Sequence, residues 1–253
     1  GWHIECSAIS STLLGQPFDI HTGGVDHLSV HHPNEIAQSE GAFGKPLARY
    51  WMHAEFLVID KSRMGKSEGN FVTLADVMRK GFDPLAYRYF VLGAHYRTQL
   101  NFTWDALRAA LNAFTKLRRT ASALKGEVVL LHATKKPSAR TRAYEKRFNE
   151  ALADDLNTPR ALAVLWDTIN NAALTPREKL SLLLSYDEVL GLGLKNVKKL
   201  GAVPAAVNKL AAERELCRRR KQFTQADDLR ARIDALGYTV DDTPSGPSVQ
   251  KND

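Results

Sequence analysis

From Thr103 onward one pattern governs the chain. Trp104, Leu107, Leu111, Phe114, Leu117, Ala121 and Leu124 recur at steps of three and four residues. That spacing places side chains along one face of an α-helix. A long helix with such a stripe needs other helices to cover it, and they follow. Ala139–Leu152, Pro159–Ala172, Pro176–Leu190, Pro204–Arg220 and Gln225–Leu236 all read as helical, the last two as a hairpin. Thr103 or Asn101 is placed to cap the first of them. "DDLNTP" separates two helices, "GLGL" ends another, and Gly237 stands where a helix stop belongs. Lys125–Lys136 reads as a linker, and the polar tail "DDTPSGPSVQKND" as disordered.

The first hundred residues follow a different rule. "FDIHTGGVD" (18–26) reads as a strand entering a glycine turn, and residues 33–43 as a helix with Pro33 in its first turn. "FLVID" (56–60) reads as a buried strand before the polar loop "KSRMGKSEGN". Short helices are expected at Leu74–Arg79 and Pro84–His95. Strand, loop and helix in alternation predict an α/β fold, so the fold class is α/β followed by all-α. Charge divides at the same place. Residues 1–100 carry 9 Lys/Arg and 10 Asp/Glu, and residues 101–253 carry 26 and 18, a balance of −1 against +8. The basic half implies either a polyanion partner or a solubilising surface. No apolar run approaches the roughly 20 residues needed to cross a bilayer, and two cysteines make no disulfide framework. No membrane association and a reducing cytoplasm are expected. The chain does not open on Met and starts inside motif-like sequence, so it is expected to be part of a longer polypeptide.

Six of the eight histidines (His3, His21, His27, His31, His32 and His53) fall in the first 53 residues, which points to a use for imidazole there. His31 and Glu35 are four apart and project from one helix face. With Cys6 brought in by the fold, thiolate, imidazole and carboxylate make a reasonable zinc set. A fourth protein ligand is not evident, so either the site is open to substrate or a ligand lies upstream of Gly1. A buried, inert cysteine is the plain alternative. Gly23 and Gly24 follow a strand and either admit a nucleotide to the backbone or form a turn. Lys66 and Ser67 sit among glycines on a loop without the P-loop spacing. Such a loop either clamps a polyphosphate with a mobile cation or is simply exposed.

Taken together, "GWHIECSA", "FDIHTGGVDHL", "HHPNEIAQSE", "WMHAEFLVID", "RMGKSEGN", "AHYRTQLNFT", "ALADDLNTPRALAVL", "DEVLGLGL" and "ADDLRARIDALGYTVDDTPSG" resemble the cysteinyl-tRNA synthetase family of class I aminoacyl-tRNA synthetases. The likeness covers nearly the whole chain. It implies the second half of a Rossmann-like catalytic domain at 1–100, a helical bundle that contacts tRNA at 101–195, and a small anticodon-reading region with its tail at 196–253. It implies ATP-dependent ligation of L-cysteine to tRNA(Cys) through a cysteinyl-adenylate, with ATP used together with Mg2+. Zinc would be held by Cys6, His31, Glu35 and an upstream cysteine, and would select the substrate thiolate.

Around the amino acid the resemblance implies Trp2 covering the side chain, with His21 and with Asp26 at the ammonium. Gly23 and Gly24 would lie near the adenosine. "RMGKS" stands where the family has KMSKS, so Lys66 would be catalytic at the phosphates beside Ser67, with Arg63 keeping the first cation and Gly65 replacing a serine. Arg218, Arg219, Arg220 and Lys221 form the densest charge run and are candidates to meet tRNA phosphates. Phe223 and Tyr238 are candidates to stack on bases. The family's HIGH motif is absent from these residues, so the chain alone is expected to be inactive, and the family default is a monomer. Two other readings stay open: a ligase joining cysteine to an amino-sugar, disfavoured because the likeness runs on to about Gly246, and a non-catalytic RNA-binding paralogue, disfavoured by the retained Cys6, His31, Glu35 and Lys66.

Overall fold

The computed structural model describes residues 1–59, 62–63, 65, 71–129, 138–197, 203–243 and 246–251. Helix α1 (His3–Leu14) leads into β1 (Phe18–Gly24), a 3-10 turn (Val25–Leu28), α2 (His31–Phe43) and β2 (Ala48–Ala54). β1 and β2 pair in parallel, with His21 opposite Trp51 and Gly23 opposite His53. Parallel neighbours need a crossover, and α2 is that crossover. The strand expected over 18–26 ends at Gly24, and α2 begins two residues before the expected Pro33. Gly44 stops α2 in the left-handed conformation (φ 63°), and its N–H bonds Glu40 O. α1, β2 and β5 were not expected from the sequence.

β3 (Leu57–Ile59) pairs antiparallel with β4 (Ser62–Arg63) and parallel with β5 (Leu100–Phe102). Between them come α3 (Leu74–Arg79) and α4 (Pro84–Leu92). α3 is closed by a Thr73–Asp76 capping box, and α4 by the Asp83 carboxylate with Pro84 at its start.

The helical half is built on the stripe read from the sequence. α5 (Trp104–Val129) buries Leu107, Phe114, Leu117 and Ala121 completely and Leu124 nearly so. Thr103 is its cap, accepting from Ala106 N at 3.0 Å. The linker expected at 125–136 is helix through Val129, because Lys125 Nζ is tied to the carbonyls of Leu194, Lys195 and Val197 at 2.7–2.9 Å. Residues 130–136 lie outside those described. α6 (Ala139–Ala153), α7 (Thr158–Asn170) and α8 (Pro176–Leu190) are capped by Ser138, Asn157 and Thr175. They close around Phe148, Leu165, Leu183 and Tyr186, a core that reaches back to Ala86 of α4. The buried Asp187 carboxylate accepts from Leu192 N and Leu194 N, both at 2.7 Å, and so folds the "GLGL" turn.

α9 (Ala205–Arg219) and α10 (Phe223–Ala235) form the expected hairpin, and Gly237 turns the chain at φ 79°. The tail is a correction. β6 (Tyr238–Thr243) and β7 (Gly246–Lys251) make an antiparallel hairpin with Val240 opposite Val249. Val240 is buried on Val207, Ala211 and Ile233, with Tyr238 and Val249 beside it, and the buried Arg214 donates to Asp242 at 2.6 and 3.2 Å. Among the described residues no helix is long and apolar enough to cross a membrane.

Candidate metal centre

α1 carries Cys6 against α2, which carries His31 and Glu35 one turn apart. One donor atom from each lies within 4.8 Å of the others. Zinc bonds such donors at about 2.0–2.3 Å, so a small inward shift brings all three into one shell. Glu35 is wholly buried. Its Oε1 stands 3.2 Å from His31 Nε2, an ion pair when that ring is protonated, and has no partner of good hydrogen-bond geometry among the described residues. A buried carboxylate oxygen with close polar neighbours and no hydrogen bond is costly unless something else satisfies it, and a cation is the group that would. Burial, and then the Glu35 charge, push the Cys6 thiol above its ordinary value. A bound cation would reverse that.

The three donors sit inside a larger group of imidazoles. His21 Nε2 donates to Glu35 Oε2 at 2.7 Å, and His32 Nε2 lies 3.9 Å from the same oxygen. His3 Nδ1 is 2.8 Å from His31 Nδ1, and His32 Nδ1 is 2.7 Å from His53 Nε2. Burial first, then the neighbouring His21, lowers the His32 pKa to about 4. Burial and His27 lower that of His53. The His32 ring is therefore neutral at pH 7.

His21, His32 and Glu35 form a second close set of donors. Sequence reading named His21 and His31 for roles here. His3, His27, His32 and His53 entered only as part of the histidine excess, which was the signal that found the group.

Trp2, two-thirds exposed, stands edge-on to His31 at 5.5 Å between ring centres. It is not core. Asp26 is exposed in the 3-10 turn, where its carboxylate would collide with any Cβ on Gly24. At Gly23 a Cβ would stand 2.7 Å from both the His27 and His32 rings, so the histidine packing itself requires glycine there. Thr22 and Gly23 also line a mainly apolar cleft of about 440 Å³ with Met52, Glu55, Tyr87 and Leu156. Lys66 and Ser67 lie outside the described residues.

At the seam between the two halves, Asp155 accepts from Tyr96 Oη and Arg97 Nε, both at 2.5 Å. Asp155 and its neighbour Leu156 both hold φ at 54°. The charge run at the α9 end is divided. Arg218 pairs with Asp242 at 3.1 Å and Arg219 with Glu215 at 2.8 Å. Among the described residues Arg220 and Lys221 make no ion pair. Phe223 is 60% exposed, whereas Tyr238 packs on the Val207–Ile233 core.

A parallel α/β half joined to capped helices is the arrangement of a class I synthetase catalytic domain with its helical appendages. Residues 1–112 match the family described as tRNA synthetases class I (C) catalytic domain, 147–195 the DALR domain, and 200–247 the cysteinyl-tRNA ligase anticodon binding domain. The chain belongs to the cysteine–tRNA ligase family. It is 46% identical over 249 residues to cysteine–tRNA ligase 1 of Burkholderia lata, covering 97% of this chain and 50% of that protein. It is 41% identical over 262 residues to the cysteine–tRNA ligase of Chlamydia pneumoniae, covering 99% and 55%. The chain thus spans about half the length of the curated relatives it matches. The structure of Agrobacterium radiobacter K84 agnB2 LeuRS in its ternary complex with tRNA and LeuAMS shares the fold, with a TM-score of 0.57 at 13% identity over 72% of this chain and 27% of that one.

Proposed function

We propose that this chain supplies the amino-acid-selecting and tRNA-binding parts of a cysteine–tRNA ligase. Cys6, His31 and Glu35 would hold a zinc ion. Bound there, zinc supplies a Lewis acid that prefers a thiolate sulfur to a hydroxyl oxygen. That preference matters because an apolar pocket separates near-isosteres by only about 1–3 kcal/mol. Trp2 would lie over the side chain of the amino acid, and Asp26 would meet its ammonium. In the first step a carboxylate oxygen of cysteine attacks the α-phosphorus of ATP and pyrophosphate leaves. Lys66, with Ser67 and a Mg2+ ion carried by the nucleotide, would stabilise the charge on the departing phosphates. In the second step a ribose hydroxyl of tRNA attacks the adenylate carbonyl and AMP leaves. The adenosine would lie beside Gly23 and Gly24. Cysteine-dependent exchange of ATP and pyrophosphate would need the nucleotide contacts of a HIGH turn beside these residues, and the protein would act as a cytoplasmic monomer.

The observation that carries this reading is the unsatisfied Oε1 of Glu35 beside Cys6 and His31. Cobalt(II)-loaded chain tests it by its visible spectrum. L-Cysteine is expected to shift the bands, and L-serine at the same concentration to leave them unchanged. An equal response to both, or none to cysteine, contradicts thiolate selection.

The anticodon-binding match favours tRNA over an amino-sugar as acceptor. Arg220 and Lys221, which make no ion pair among the described residues, would contact phosphates beside the exposed Phe223. Replacing both by Ala is expected to lower the slope of log affinity for tRNA against log salt by about 2. Arg218→Ala, which loses a pair to Asp242, is expected to change that slope less. A slope unmoved by the double change would remove this turn from the tRNA contact.

A further inference from the structure

Resting on the metal site proposed above, we propose that His3 and His21 are positioning residues that hold the ligands His31 and Glu35 by the atoms the metal does not use. A histidine ligand offers one ring nitrogen to the metal and usually donates the other N–H to a neighbour. His31 directs Nε2 at the Glu35 side of the site, while its Nδ1 is 2.8 Å from His3 Nδ1. For Nε2 to present its lone pair, Nδ1 must carry the proton and donate it to His3. The His3 ring stands edge-on to that of His31 at 4.7 Å, so α1 braces α2 at the ligand itself.

Glu35 is held in the corresponding way. Its Oε1 is the unsatisfied atom, and its Oε2 accepts from His21 Nε2 at 2.7 Å. The terminal torsion of a glutamate has a broad, weakly preferred range, so one hydrogen bond to Oε2 decides where Oε1 points. His21 is itself fixed. It lies on β1 opposite Trp51, with its ring edge-on to Trp51 at 4.8 Å and to Phe18 at 5.4 Å. The resemblance placed His21 near the amino acid. The geometry also joins it to the carboxylate that faces the metal site.

Titration of the full chain with cobalt(II), read by visible absorption and by competition with a chromophoric chelator, tests this. His21→Ala and His3→Ala are expected to weaken cobalt binding about 10- to 100-fold, as loss of such partners does elsewhere, and to change the visible bands. His21→Gln, whose amide reaches the place of Nε2, and His3→Asn, whose carboxamide reaches the place of Nδ1, are expected to recover most of the affinity. The metal-free His21→Gln and His3→Asn variants, which keep a hydrogen-bonding group in place, should melt as the unaltered chain does, and the alanine variants lower. Wild-type affinity and spectrum in both alanine variants would overturn the proposal. So would a His21→Gln variant as defective as Glu35→Ala, because His21 would then be a ligand itself, in the set with His32. If the unaltered chain binds no cobalt, the metal reading fails and this assignment falls with it. If the unaltered chain binds but the alanine variants match it, the assignment alone fails.

Discussion

In the helical half, Phe114, Leu117, Ala121, Ala151, Leu165 and Leu183 are wholly shielded from water. In the first 54 residues the fully buried side chains are few, and they include the Glu35 carboxylate and the Ser39 hydroxyl as well as Leu47. The buried apolar residues of that first region are Phe18, Leu47 and Ala48, while Trp2, Ile4, Ile9, Leu13, Leu14, Ile20, Val30 and Tyr50 stay exposed. The contrast shows two ways of holding a chain together. The bundle gains its stability from apolar area removed from water, which no ion or ligand alters. The site region has little such area, and its inner face is imidazole, thiol and carboxylate. For that region a bound metal would contribute folding free energy directly.

The contrast can be broken by experiment. The largest effect is expected from Leu183→Ala, which should lower the stability of the bundle by about 3–5 kcal/mol in urea titrations. A loss below about 1 kcal/mol would mean that this core is not what holds the helices. Next, a strong chelator added to metal-loaded chain should raise amide exchange in α1 and α2 and leave α8 protected. Equal loss of protection in both would show that the two regions are not energetically distinct. A smaller change sharpens the local account. Thr175→Ala removes the hydroxyl that caps α8 and should cost about 1 kcal/mol.

The smallest effect concerns the seam. Arg97 first, then Tyr96, holds the Asp155 carboxyl at a pKa of about 2, below its value of about 3.9 in an unfolded chain. A group with a depressed folded pKa stabilises fully above the unfolded value and loses that contribution as pH falls toward the folded one. Melting temperature should therefore drop between about pH 4 and pH 2, and Asp155→Asn should flatten that drop. An unchanged pH profile would remove this carboxylate from the linkage between the halves.

The helical half was legible because its elements obey local rules. A stripe of seven apolar residues, a Thr cap, prolines in the first turns of α7 and α8 and just before α9, and two glycine stops fixed α5 to α10 within a few residues. α1 was not legible because it is inside out. Its inward stripe is His3, Cys6, Ser7, Ser10 and Ser11, and its isoleucines and leucines face outward. Ser7 Oγ bonds Gln38 and His3 meets His31, so polar pairing replaces the apolar pattern that sequence reading looks for. β2 was missed for a related reason: "ARYWMHA" has no clean alternation, and parallel pairing to β1 is set by α2 rather than by a turn. The terminal hairpin is held by Val240, Val249 and Tyr238 on the α9–α10 core and by the buried Arg214 bonding Asp242, contacts across the chain that no local pattern announces. Of the site, Cys6, His31 and Glu35 were named from donor type and spacing. The partners of Glu35 Oε2 and His31 Nδ1 depend on side-chain orientation, which spacing does not encode.

Zinc-edge X-ray absorption of the zinc-loaded chain tests the central claim most directly. One sulfur neighbour at about 2.3 Å with nitrogen and oxygen neighbours at about 2.0–2.2 Å is expected. A second sulfur should appear when L-cysteine is added, and the first should vanish in Cys6→Ser. A shell without sulfur, or one that neither Cys6→Ser nor added cysteine alters, would contradict it.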